Sequence, residues 1–308
     1  MLAKRPADTA RKTRPIDATT GITAIFGDPV AHSGSPAMHN AAYAALGMNR
    51  VYVAYRVPSH RLPAALEAIE ALGMIGANIT VPHKEPTARA IKFRRHAELS
   101  AEAYALAAVN CVVNRRGILY ADNTDARGLE ADLLKLQCDP GGKAAIVIGA
   151  GGAGAAAALA LFRLGAAKIV ICNRTVPRAA ALARRINSIA QRKIKIEARG
   201  LDALADTKLV ADAGAIVNAS AMGMATRRFA PVAYDAAPPE CMFYDLIYSA
   251  RPTPFLKPAI AKGRRVSDGA GMLVEQGELA FKLFNGVAPP RGVMRAALMT
   301  HLGRSPLS

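Results

Sequence analysis

The 308-residue chain has no tryptophan, only 5% aromatic residues, and no apolar run near the roughly 20 residues that span a bilayer. A membrane-spanning helix is therefore not expected, and the chain reads as soluble. Residues 1–20 carry five Lys/Arg against two Asp and lack the apolar stretch of a secretory signal. They read as a disordered basic tail. Cysteine is scarce too: Cys111, Cys138, Cys172 and Cys241 lie at least 27 residues apart, without CxxC or Cys/His ligand spacing. That argues against structural zinc, leaves no metal expected, and suits a reducing compartment, the cytoplasm. Acidic residues are few, 23 against 40 Lys and Arg, for a net charge of +17. A nucleic-acid site would need that charge clustered. Here it is spread in doublets such as Arg94 with Arg95 and Arg264 with Arg265, without interleaved aromatics. The balance implies a solvated basic surface that attracts small anions, with neither nucleic acid nor membrane as partner.

What is present is a repeated alternation of short apolar runs with helical periodicity, in a chain long enough for two domains. In residues 21–122 the runs are 22–26, 51–57 and 77–81. Between the first two, Met38, Ala41, Ala42, Ala45 and Leu46 form one face of a helix that stops near Gly47. Strands joined through a helix pair in parallel. Residues 108–113 and 118–121, with a polar turn at 114–117, read as a hairpin. From 126 to 265 the alternation is clearer: AAIVIG, an Ala-rich helix, KIVICN, a helix from Pro177, then KIKIEA, AIVNAS and MFYDLI. Continuous apolar strands of this kind are covered by helices on both faces. The expected fold class is α/β in two domains, the second a Rossmann-like doubly wound sheet. Residues 270–308 read as two helices, 271–284 and about 291–302, that pack back across the first domain.

Gly149, Gly151 and Gly154 satisfy GxGxxG between the strand 145–148 and the Ala-rich helix. The first permits a tight turn, the second lets backbone N–H groups approach a pyrophosphate, and the helix N-terminus adds partial positive charge. A dinucleotide site is expected there. After the next strand, where an acidic residue would hold an adenosine ribose, stand Asn173, Arg174 and Thr175, with Arg178 one turn on. A guanidinium there suits a 2'-phosphate and offers no acceptor to ribose hydroxyls, so the expected cofactor is NADP rather than NAD.

Three other segments carry polar groups at strand ends, where open α/β sheets bind ligands. In GDPVAHSGSPAMHN (27–40), Ser35 before Pro36 has the pattern of a helix N-cap, while Ser33 has no such structural excuse. Two hydroxyls beside a helix N-terminus also suit a carboxylate. In GANITVPHK (76–84), Asn78 and Thr80 share one strand face and Lys84 lies just beyond it. DNTD (122–125) opens the crossing between domains.

In this order, the segments resemble the shikimate dehydrogenase family. The likeness runs from Ile22 to Gly286 through AVN (108–110), GAGGA (149–153), NRT (173–175), NAS (218–220), YDLIY (244–248), TPFL (253–256) and DGAGMLVEQG (268–277). It implies a substrate domain of residues 21–125 with 266–308, and an NADP domain of 126–265. It implies that Ser33 and Ser35 hold a carboxylate, that Asn78, Thr80, Asn110 and Gln276 bind ring hydroxyls, and that Tyr248 lines the pocket. Gly149, Ala150, Gly151, Gly152, Ala153, Asn173, Arg174, Thr175, Arg178 and Gly269 would bind the cofactor. Lys84 and Asp125 match the catalytic pair, with Lys84 moving the proton of the reacting oxygen and Asp125 holding the ammonium. The chain departs from the family's usual pattern at Cys111, Ala121 and Ala108, where Thr, Gly and Gly are common. The implied enzyme is cytoplasmic, a monomer or homodimer, and interconverts shikimate and 3-dehydroshikimate. Quinate or an aminoshikimate as substrate, a non-catalytic sensor, and a thioester enzyme using Cys111 are the competing readings.

Overall fold

Two six-stranded sheets, one mixed and one wholly parallel, organise the computed structural model, which describes residues 15–190, 194–224 and 228–305. The expected tail lies outside the described residues up to position 14. Its last residues are not free: Asp17 Oδ1 accepts from Thr19, and Thr20 donates to Asn49 at 2.8 Å. This short turn is held by side-chain hydrogen bonds that composition alone does not suggest.

The chain begins with β1 (Gly21–Gly27), α1 (Ser35–Leu46), β2 (Arg50–Arg56), α2 (Leu62–Ala71) and β3 (Gly76–Ile79). β1 pairs in parallel with both β2 and β3, as helical crossovers demand. α1 ends where Gly47 turns left-handed, φ +63°. Next come α3 (Lys84–Lys92), β4 (Ala97–Leu99), α4 (Ala101–Leu106), and the hairpin of β5 (Cys111–Arg115) and β6 (Ile118–Asp122). Its two turn residues, Arg116 and Gly117, both have positive φ, which matches the twist of the flanking strands. The sheet order is β2-β1-β3-β5-β6-β4.

α5 (Asp125–Lys135) leads into the second sheet through β7 (Ala144–Ile148), α6 (Gly152–Arg163), β8 (Lys168–Cys172), α7 (Val176–Ile189), β9 (Lys195–Arg199), α8 (Thr207–Ala211), β10 (Ala213–Asn218), β11 (Met242–Asp245), α9 (Leu256–Ala261) and β12 (Arg265–Asp268). The order β12-β11-β10-β7-β8-β9 is the doubly wound one, with the strand order reversing beside β7. The strands β4 and β12 escape the apolar-run criterion because both are short, partly exposed edge strands. β12 also carries the parallel sheet to Asp268, three residues past the boundary expected at 265.

The chain then returns to the first sheet as α10 (Ala270–Asn285) and α11 (Val293–His301). Met38 of α1, Phe281 of α10, and Met294, Leu298 and Met299 of α11 share one buried cluster. α10 also lies against α5, which in turn packs on α6. The approach is close because Gly128 has no side chain: a Cβ there would sit 2.6 Å from Gln276 Cβ. The pair α5 and α10 thus forms the spine between the sheets.

Candidate active site

Both ionisable residues expected to do chemistry are the first residues of helices that follow strands. After β3 the chain turns tightly, with His83 N donating to the Thr80 carbonyl and His83 Nε2 within 2.6 Å of the Val57 carbonyl oxygen. This fixes Lys84 at the start of α3. After β6, Asn123 donates to the Ala108 carbonyl and accepts from Asp125 N, which fixes Asp125 at the start of α5. Lys84 Nζ then donates to Asp125 Oδ2 at 2.7 Å, and Asn110 Nδ2 donates to Asp125 Oδ1 at 2.8 Å. The Lys84 side chain is 17% exposed and that of Asp125 only 4%. The carboxylate is therefore a fixed base plate, while the ammonium still meets the cleft. Desolvation offsets most of the attraction in such a pair, so its contribution to folding is small.

The surrounding amides are largely committed to one another. Asn110 is saturated: Nδ2 also reaches Thr124 Oγ1 at 2.9 Å, and Oδ1 accepts from Thr124 N at 2.8 Å. It orients Asp125. Gln276 donates one N–H to the Leu273 carbonyl, which leaves one N–H, and its Oε1 lies 3.3 Å from Asn110 Nδ2 and 3.4 Å from Thr124 Oγ1. Asn78 donates once to the Asn110 carbonyl and accepts from Tyr52, which also leaves one N–H. With the hydroxyls of Ser33, Ser35 and Thr80, the site is rich in donors. It suits a small ligand bearing several oxygens.

At the other end of the cleft the capping assignment is corrected. Gly34, not Ser35, occupies the cap position of α1, and its carbonyl accepts from Met38 N. Ser33 Oγ accepts from Ser35 N at 3.3 Å, so Ser33 has the local backbone role. The helix thus starts one residue earlier than the N-cap pattern suggests, with Pro36 in its first turn. Tyr248 closes this end, with its hydroxyl accepting from Gly34 N at 3.3 Å. Burial raises the pKa of that phenol.

The glycine turn lies directly beside Lys84. Gly149 has φ +113°, and a Cβ on Gly154 would sit 2.3 Å from the Gly149 carbonyl oxygen. A Cβ on Gly152 would lie 3.5 Å from Lys84 Cβ. Gly151 caps α6 without a side-chain partner, and no acidic residue stands in its first turn. An anion seated there meets free N–H groups, with the Glu85 carboxylate nearby: its Oε1 would lie 3.9 Å from a Cβ on Gly151. Asn173 turns back on itself, donating to the Thr175 carbonyl at 2.9 Å, and Arg174, Thr175 and Arg178 are exposed beyond it.

A cleft of about 500 Å³ joins these parts. Its walls include all nine residues expected at the substrate end, namely Ser33, Ser35, Asn78, Thr80, Lys84, Asn110, Asp125, Tyr248 and Gln276, together with Ala153 and Gly269. Gly149, Ala150, Gly151 and Gly152 make the adjoining turn and are not in the wall. Asn173, Arg174, Thr175 and Arg178 stand outside it, at the junction of β8 and α7.

Models of three family segments match the chain: the shikimate dehydrogenase substrate binding domain over residues 25–112, shikimate / quinate 5-dehydrogenase over 133–223, and the shikimate 5'-dehydrogenase C-terminal domain over 269–299. A shikimate dehydrogenase (NADP(+)) from Methanopyrus kandleri is 39% identical, over 93% of this chain and 98% of its own. The chain belongs to the shikimate dehydrogenase family. A shikimate dehydrogenase crystallised with NADP+ superposes with a TM-score of 0.83 at 33% identity, covering 94% of this chain and 99% of its own. The Thermus thermophilus enzyme, crystallised with NADP(H) and shikimate, gives 0.77 at 35% identity, covering 92% and 100%.

Sequence reasoning missed the apolar wall of the cleft, formed by Ile247, Met272, Leu273 and Met224 with Ala219 and Ala221. Such residues carry no chemical signature, and they come together only in the fold, from the segment after β10, the end of β11 and the start of α10. Tyr52 was missed for a different reason, since it acts through Asn78 from inside the core. Cys111 is completely buried and burial raises its thiol pKa, which removes the nucleophile a thioester reaction needs. Among the described residues there is no group of three or more His, Cys, Asp or Glu able to hold a metal, and no helix long and apolar enough to cross a membrane.

Proposed function

We propose that this chain reversibly reduces 3-dehydroshikimate to shikimate with NADP, as a step of the shikimate pathway. The observation that carries this reading is the Lys84–Asp125 pair, set in a donor-rich cleft directly beside an uncapped glycine turn. In reduction, Lys84 gives its proton to the ketone oxygen, and in oxidation it takes the proton back. Asp125 holds the ammonium and accepts from the reacting hydroxyl. Ser33, Ser35 and Tyr248 hold the carboxylate of the substrate. Thr80 and the remaining N–H groups of Asn78 and Gln276 bind ring hydroxyls, with Asn110 keeping Asp125 in register. NADP, when bound, supplies or accepts the hydride. Gly149 to Ala153 and Gly269 hold its diphosphate and nicotinamide portions, while Asn173, Arg174, Thr175 and Arg178 receive the adenosine 2'-phosphate. The apolar wall excludes water from the reacting carbon.

Four buried, free cysteines support work in a reducing cytoplasm. The test is to mix the purified chain with shikimate and NADP+ and follow the reduced nicotinamide while identifying the ring product. Stoichiometric 3-dehydroshikimate is expected. No shikimate-dependent reduction of NADP+ by folded protein overturns the assignment.

A further inference from the structure

Asn78 reaches the cleft with its amide already committed on two sides. Tyr52 donates its phenolic hydrogen to Asn78 Oδ1 at 2.8 Å, and Asn78 Nδ2 donates to the Asn110 carbonyl at 3.0 Å. Turning the amide by 180° would set Oδ1 against that carbonyl, acceptor facing acceptor, so the network selects one orientation. Tyr52 itself is 1% exposed, in the middle of β2. Its ring stacks on His39, with centroids 4.2 Å apart and planes 16° from parallel. Its backbone N–H and carbonyl are clasped by the Asn40 side chain at 2.8 and 2.9 Å. Burial lowers the His39 pKa to about 3, so the stack carries no charge at neutral pH.

We infer that Tyr52, which does not line the cleft, is the positioning residue that makes Asn78 a hydrogen-bond donor toward the ligand, and thereby helps set which ring acids are accepted. The inference rests on the dehydrogenase reading above, with Asn78 at a ring hydroxyl. Without the phenolic hydroxyl, Asn78 Oδ1 has no buried partner, and the bond from Nδ2 to the Asn110 carbonyl alone is left to hold the amide. Affinity then falls, and discrimination between acids that differ at that hydroxyl relaxes.

Tyr52→Phe keeps the ring and its stack on His39 while removing the hydroxyl. The expected result is a rise of about 5- to 30-fold in KM for shikimate, with kcat within about threefold and KM for NADP unchanged. Combined with Asn78→Ala, it should add nothing to the KM of Asn78→Ala alone, a coupling that general loosening of the fold would not produce. An unchanged KM in Tyr52→Phe, or effects that simply multiply, overturns the inference. If Tyr52→Phe does not fold, Asn78→Asp decides: it keeps the shape and the acceptor for Tyr52 but has no donor. A KM as high as that of Asn78→Ala supports the inference, and a KM near that of the unmodified enzyme overturns it. The unmodified enzyme, assayed alongside, separates the two claims. If it oxidises another ring acid instead of shikimate, the substrate assignment fails and the same variants are read on the acid it does oxidise.

Discussion

The Lys84 ammonium donates to the Asp125 carboxylate at 2.7 Å although the residues are 41 positions apart and begin different helices. Neither is a surface charge that happens to find a partner. Each is placed by side-chain and backbone bonds at the end of its own strand, and the two strand ends converge on one cleft. Lys84→Ala should therefore lower kcat by about 10² or more, the scale of a general acid–base group, with a smaller change in KM. Steady-state kinetics of a variant with an unchanged circular-dichroism spectrum checks this, and near-normal turnover removes Lys84 from the chemistry.

Cofactor choice is expected to reside in Arg174. It follows β8, where a carboxylate would otherwise bind a ribose, and it is exposed, with no acidic partner fixed to it by a hydrogen bond among the described residues. Arg174→Ala should raise KM for NADP by about 10- to 150-fold, the range of a charge-assisted pair. KM for shikimate should barely move. Arg178 is one turn away and shares the phosphate, so the double substitution should exceed the single one. An unchanged NADP to NAD ratio in both single variants would show that this loop does not read the phosphate.

Gly154→Ala tests the turn beneath the cofactor. The added methyl group would overlap the Gly149 carbonyl oxygen at 2.3 Å, and that atom belongs to the turn itself. Overpacking of this kind costs about 1 to 3 kcal/mol. NADP affinity, measured by titration calorimetry, should fall by about tenfold for every 1.4 kcal/mol of that strain carried by the bound state. Unaltered NADP binding would mean that the turn has room the geometry does not allow.

A pH dependence of stability is built into Asp245 at the end of β11. Its carboxylate accepts from Asn218, Thr253 and Ile247 N, yet burial dominates and, with Asp268 nearby, raises its pKa from 3.8 to about 6. The folded protein therefore holds this proton more tightly than the unfolded chain. The stability this adds is complete below about pH 4 and is lost as pH rises through 6, a change of about 3 kcal/mol. Asp245→Asn has no proton to lose. Relative to the unmodified protein it should gain about that amount between pH 4 and 7.5 in urea denaturation, whereas a pH-independent difference would contradict the raised pKa.

Much of this was legible in the residues. The apolar runs of the parallel sheet, the glycine turn and the strand-end polar segments are local patterns, and nine polar positions expected at one ligand do line one cleft. What was not legible depends on tertiary packing. β12 and β4 are edge strands too short and too exposed to show an apolar run, and the turn at Asp17 to Thr20 depends on Asn49, which lies 29 residues beyond Thr20. Ser35 has the letters of an N-cap, but the chain enters α1 one residue sooner. Tyr52 looks like any core aromatic of a strand until its hydroxyl is seen on Asn78.

The central claim is that one cleft couples a shikimate-shaped donor set to an NADP turn through Lys84. It is tested most directly by the specificity constants of the purified chain for shikimate, quinate and an aminoshikimate, each with NADP and with NAD. Shikimate with NADP should have the highest kcat/KM of the six combinations. A higher value for quinate, or for any acid paired with NAD, would contradict it.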